Sequence, residues 1–150
     1  MIPAWHFEFS VECAVTKDFA WSFWTDVSNW SLDADVESVS LDGEFAAGTC
    51  GHTVSRSAGP IGWRIAEAQT GRAVLEFPAP GAVATFVWTF ENSPSGTKIS
   101  QAASLSGPEA PRYAETFGRM LEEGIPAGMR KLREAMEASK ASGANVVAQK

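Results

Sequence analysis

The side chains that could carry proton or metal chemistry are few in this 150-residue chain, and none stands in a spacing that assembles a site by itself. His6 and His52 are the only imidazoles and Cys13 and Cys50 the only thiols, with no HExxH, CxxC or Cys/His cluster that would hold zinc. No GxGxxG or GxxxxGK[ST] loop is present to cradle a phosphate, and no serine occupies a GxSxG elbow. Neither a metal nor a cofactor is expected. Two readings of the polar residues remain. In one, His52 moves a proton at a carbon beside a carbonyl, while Gln101 or the single phenol, Tyr113, donates a hydrogen bond to the oxygen. In the other, His52 and Gln101 only orient a bound molecule, as the sparse polar points of an apolar pocket do.

Composition narrows the setting. Twelve Lys and Arg against 18 Asp and Glu give a net charge of −6, which argues against nucleic acid as a partner. Apolar residues make up 45% of the chain, with six Trp and nine Phe, enough to drive one sizeable core in a chain of single-domain length. Apolar runs are short, and Met1–His6 lacks the charged start and apolar stretch of a secretory signal, so a soluble cytoplasmic protein without membrane insertion is expected. The two cysteines lie far apart in sequence and read as buried thiols rather than a disulfide framework.

The elements that must position these residues follow from periodicity. Trp5, Phe7, Phe9, Val11 and Cys13 alternate with polar neighbours, the period of two of a half-buried strand. Thr16 caps a short helix carrying Phe19, Phe23 and Trp24, and Asp26–Asn29 breaks it before a second short helical segment at Trp30. From Val36 onward Gly, Pro, Asn and Asp punctuation at Asp42-Gly43, Ala47-Gly48, Ser57–Pro60, Thr70-Gly71, Pro78–Gly81 and Ser93–Gly96 marks about six strands in meander. Ser106-Gly-Pro-Glu109 has the spacing of a capping box, and Phe117, Leu121, Ile125, Met129, Leu132 and Met136 form one stripe of a long helix, with a kink expected at Gly124–Pro126. The whole reads as an α+β domain over residues 1–138, followed by a flexible tail at 139–150.

This order, and several local sequences, resemble the START-like or Bet v 1-like (SRPBCC) superfamily, in particular its polyketide cyclase/dehydrase and lipid-transport branch. The resemblance runs from Phe7 to Ala138. It is carried by Trp21-Ser-Phe-Trp-Thr-Asp-Val-Ser-Asn-Trp30, the strand Asp35–Val39, Asp42-Gly43 with Gly48-Thr49, Trp88-Thr-Phe-Glu91, Gly96-Thr97 and the closing helix. Members often carry a second Trp three residues after the one matching Trp30, where this chain has Asp33. The resemblance implies a helix-grip fold: a curved antiparallel sheet of about seven strands wrapped around the long C-terminal helix, two short helices after strand one, and an internal cavity for a small apolar or aromatic molecule.

Hairpin register indicates which residues face that cavity. A turn at Ser93–Gly96 pairs Asn92 with Thr97, hence Phe90 with Ile99, Trp88 with Gln101 and Phe86 with Ala103, an inward aromatic face on which Gln101 is the polar member. Across Ser57–Pro60 the same reasoning pairs Arg56 with Ile61, Val54 with Trp63 and His52 with Ile65. That turns His52 inward and Gly51, Thr53 and Ser55 outward, and a slip of one residue reverses it. The Pro78–Gly81 turn does not decide between Glu76 and Phe77.

The candidate ligand-binding set is therefore Trp30, His52, Trp63, Phe86, Trp88, Gln101, Phe117 and Leu121, although the aromatic members are equally well read as core filling. Three functions are compatible with it. They are a binder of a small hydrophobic or aromatic, lipid- or polyketide-like molecule; a cyclase, aromatase or dehydratase with His52 as acid/base; and a co-chaperone-like interaction module. No carboxylate is assigned to the inner face, which counts against the second. The outer residues Thr85, Thr89, Ser100 and Ser104 are small and polar, which counts against the third. Homodimerisation through an edge strand stays open.

Overall fold

Strand β1 (Trp5–Cys13) turns Trp5, Phe7, Phe9, Val11 and Cys13 to one face, as the alternation requires, in the computed structural model. The structure describes residues 4–32, 36–56 and 59–149, with residues 31–32 and 142–149 by backbone alone. Asp33, Asp35 and the Ser57-Ala58 part of a turn lie outside the described residues. Helix α1 (Lys17–Thr25) starts where the Thr16 hydroxyl accepts the Phe19 N–H at 3.2 Å. A 3₁₀ turn (Val27–Leu32) follows at once, and its side chains satisfy the carbonyls that α1 leaves open. Asn29 Nδ2 donates to Phe23 O at 2.9 Å, and Trp30 Nε1 donates to Trp24 O at 2.7 Å.

The remaining strands are β2 (Val36–Leu41), β3 (Cys50–Ser55), β4 (Gly59–Gln69), β5 (Arg72–Ala79), β6 (Ala82–Ser93) and β7 (Gly96–Ser106). They join β1 in one antiparallel seven-stranded sheet of order β1-β7-β6-β5-β4-β3-β2. The sheet is open, with β1 and β2 as its edges. Extra residues interrupt the ladder between Val36 and Ser38 and between Ile65 and Glu67, bulges that strengthen twist and curl the sheet. Its concave face carries Ile65, Ala73, Leu75, Phe86, Phe90, Ile99, Ala103 and Leu105, all buried.

The C-terminal segment comprises α2 (Ala110–Tyr113), a π-helical turn over 114–118, and α3 (Arg119–Gln149). The capping box at Ser106 does not form. Ser106 is still paired with Val83 in the sheet, and the chain turns instead at Gly107 (φ +111), where a side chain would run into the Gly81 carbonyl. Helix α2 begins without a side-chain cap, with Pro111 in its first turn. Pro126 lies inside a continuous helix, and the departure from α geometry falls earlier, at 114–118. Together these elements make the helix-grip α+β fold.

Helix α3 is fastened along β1 at both ends. Trp5 Nε1 donates to Glu122 Oε2 at 2.8 Å; at the far end Glu137 accepts the Ala14 N–H at 2.8 Å and Lys140 donates to the Ala14 carbonyl at 3.3 Å. Between these ties Cys13 is fully buried and its thiol donates to Arg133 O at 3.8 Å. Burial, with the nearby Glu137 carboxylate adding to it, pushes that thiol up to about 11, so it stays protonated at neutral pH. Met129 and Met136 on the helix are buried in the core. Fixed to one edge of the sheet, the helix leaves a space between itself and strands β5 to β7. No helix among the described residues is long and apolar enough to cross a membrane.

Candidate ligand-binding pocket

The space is a pocket of about 650 Å³ between sheet and helix, within the range of small-molecule sites. Its sheet wall comes from β5, β6 and β7: Leu75 and Phe77, Phe86 and Trp88, and Gln101. Trp24, Asn29 and Trp30 close one end, and Val36, Val39 and Thr53 line the β2–β3 side. The helix side is Phe117, Leu121, Ile125, Met129 and Leu132, with the exposed Met120, Gly124 and Lys131 at its open edge.

The inward strand pattern is a register effect. In the β6–β7 hairpin Trp88 faces Gln101, Phe86 faces Ala103 and Phe90 faces Ile99, with Thr89 and Ser100 on the outer face, the pairing that the turn implies. Gln101 is only 8% exposed, flanked across the strands by Phe9 and Trp88. Its amide makes no hydrogen bond to any described residue, and it borders the pocket. No buried side-chain N or O among the described residues lacks a partner, so the Gln101 amide opens onto the pocket, where it offers two donors and an acceptor to a guest. On β5, Ala73, Leu75 and Phe77 alternate inward, while Glu76 faces out and pairs with Arg64 across the sheet.

The β3–β4 hairpin corrects the sequence reading. Its ladder begins at Ser55↔Gly59 and pairs Thr53 with Ile61, His52 with Gly62 and Gly51 with Trp63, an odd shift from the register inferred from the turn. Every side chain of β3 is thereby reversed. Thr53 faces inward with Gly51, while His52 points out, 53% exposed, its Nε2 2.9 Å from Asp42 Oδ2. His52 does not reach the pocket. The register is locked by packing: the Trp63 indole lies across Gly51, where an added Cβ would fall 2.3 Å from the ring, and Trp63 Nε1 donates to Thr53 Oγ1 at 2.9 Å.

Trp63 is likewise not in contact with the pocket. At 2% exposure it is the middle of a stack, 5.1 Å from Trp30 and 5.6 Å from Phe77 between ring centres, both nearly parallel to it. It supports two walls without being one. Trp30, Phe86, Trp88, Gln101, Phe117 and Leu121 do line the pocket. Tyr113 does not; its hydroxyl donates to Pro80 O at 3.0 Å, tying the start of the helical segment to the β5–β6 turn.

Sequence reasoning missed Asn29, Thr53, Phe77, Gly124, Gly128 and Lys131. The helix glycines had a visible signal. Each costs about 1 kcal/mol relative to Ala in a helix interior, so two of them four residues apart call for a reason. The structure supplies it: a Cβ at Gly124 or Gly128 would meet nothing within 4 Å, so their missing side chains are pocket volume. The polar lining among the described residues is thus Asn29, Thr53, Gln101 and Lys131, with no carboxylate, imidazole or thiol. Such a lining can donate and accept hydrogen bonds and offer one cation.

The same helix-grip fold is found among solved structures. Among solved structures the chain is similar to Ara h 8.0201, at 13% identity over 89% of this chain and 98% of that one with a TM-score of 0.73. It is also similar to norcoclaurine synthase from Thalictrum flavum in complex with dopamine and hydroxybenzaldehyde, at 10% identity over 87% and 85% of the two chains with a TM-score of 0.67. A third is the di-domain ARO/CYC StfQ of the steffimycin biosynthetic pathway, at 14% identity over 91% of this chain and 52% of that one with a TM-score of 0.70. No family model and no curated protein matches the sequence.

Proposed function

We propose that this protein binds one small hydrophobic or aromatic molecule, lipid- or polyketide-like in character, in the pocket between its sheet and C-terminal helix. The observation that carries the reading is Gln101: a residue only 8% exposed, set into an aromatic wall, whose amide has no protein partner among the described residues and opens onto a pocket of about 650 Å³. The free hydroxyl hydrogen of Thr53, whose oxygen already accepts from Trp63, offers a second point of attachment.

A cyclase, aromatase or dehydratase of the kind suggested by the likeness to StfQ has less support, because His52 stands on the outer face and the described lining holds no other general base. An interaction module has less still: Met120 is the one exposed large apolar side chain among the described residues, and it belongs to the pocket edge.

Native mass spectrometry on gently purified protein tests the reading. A stoichiometric adduct lost on denaturation is expected, and Gln101→Leu should weaken its binding about tenfold while leaving the fold intact. Absence of an adduct, together with no thermal stabilisation by a broad library of aromatic and lipid compounds, would overturn it.

A further inference from the structure

The pocket is not uniformly apolar along the helix. Phe117, Leu121, Gly124, Gly128 and Lys131 follow one another at spacings of four and three, so they form a single line down one helix face. That line runs from apolar side chains, over a notch where two glycines leave open space, to an exposed ammonium. Lys131 forms no ion pair with a described carboxylate, and it is the one charged side chain among the described residues that line the pocket. Gln101 lies on the opposing sheet wall.

Resting on the binding reading above, we propose that the ligand is an amphipathic anion. Its flat or bulky apolar body crosses the Gly124–Gly128 notch, its polar group meets the Gln101 amide, and its carboxylate, sulfonate or phosphate sits at the open edge against Lys131. A neutral ligand leaves Lys131 without a role, and a cationic one is repelled by it. The chain's net charge of −6 disfavours anions in general, so any preference for an anionic guest reports local structure rather than the overall field.

Two fluorescent probes separate the possibilities: anilinonaphthalene sulfonate and phenylnaphthylamine, the same aromatic body with and without a sulfonate. Titrated into the intact protein at low salt, both should bind, the sulfonate roughly three- to fivefold tighter, with the difference shrinking as salt is raised. Lys131→Met should abolish that difference by weakening the sulfonate alone. Gly128→Leu fills the notch and should expel both probes; Gly124→Val is the second filling variant, and an unchanged circular dichroism spectrum checks that each is folded. If both probes bind wild type equally, or if Lys131→Met keeps the sulfonate preference, the anion proposal falls while the binding reading stands. If neither probe binds, or both survive the filling of the notch in both variants, the pocket reading itself falls.

Discussion

The two hairpins that build the sheet wall, β6–β7 and β3–β4, have similar sequence character but opposite outcomes. Each has a Pro/Gly-marked turn, a tryptophan in one strand and a polar candidate residue in the partner strand. In β6–β7 the aromatic residues Phe86, Trp88 and Phe90 share one face of β6 while the other face is smaller and more polar, so only one register buries the aromatics, and Gln101 is carried inward with them. In β3–β4 the strand Cys50–Ser55 has no such contrast, and a shift of odd number leaves Trp63 and Ile65 buried while exchanging His52 for Thr53 and Gly51. The polar residue of an unpatterned strand is placed by its neighbours' packing rather than by its own sequence.

The sharpest way to break this comparison is at Trp63. Trp63→Ala should cost about 3–5 kcal/mol in denaturant unfolding and loosen Trp30 and Phe77, although Trp63 touches no pocket. A loss below 1 kcal/mol, by the same large-to-small scale, would mean that the stack does not hold the β3–β4 register. Gly51→Ala tests that register from the other strand. Its new Cβ must displace the indole, and a loss of about 1–3 kcal/mol is expected, against an effect near zero if β3 were turned the other way.

The two thiols contrast β1 with β3 in burial. Cys13, at the β1 end paired with Thr97, has its pKa raised from 9.0 to about 11, first by burial and then by Glu137. The folded protein therefore keeps a proton that the unfolded chain releases, and the associated stability is complete below about pH 9 and is lost as pH rises toward 11. Unfolding measured across that window should show the decline in wild type and a flatter profile in Cys13→Ala. Cys50, exposed on β3, should react with a thiol reagent at once, whereas Cys13 should wait for unfolding. The smallest effect belongs to His52→Gln, expected to change stability by no more than about 0.5 kcal/mol and ligand affinity not at all. A substantial loss of binding would return His52 to the site.

Much of the architecture was legible because it rests on strong, local contrasts. The alternation of β1, the Thr16 cap, the turn glycines and the helical stripe from Phe117 to Met136 each exclude the competing structure, and together they specify a curved sheet with a helix across it. The capping box at Ser106 failed because a residue that can cap can also extend a strand, and pairing with Val83 decided between the two. The site was legible only where a strand face was unambiguous, as for Phe86, Trp88 and Gln101. Gly124 and Gly128 looked like helix defects until the space beside them was visible.

The sequence by itself determined the elements, their order and the face of each strongly patterned strand, because periodicity and turn chemistry act over a few residues. Only the tertiary structure decided that His52 faces solvent, that Trp63 supports the wall from behind, and that two glycines and Lys131 line the same pocket as Gln101. Those placements depend on the volume and register of side chains that meet from distant parts of the chain, and no local pattern encodes the space left between them.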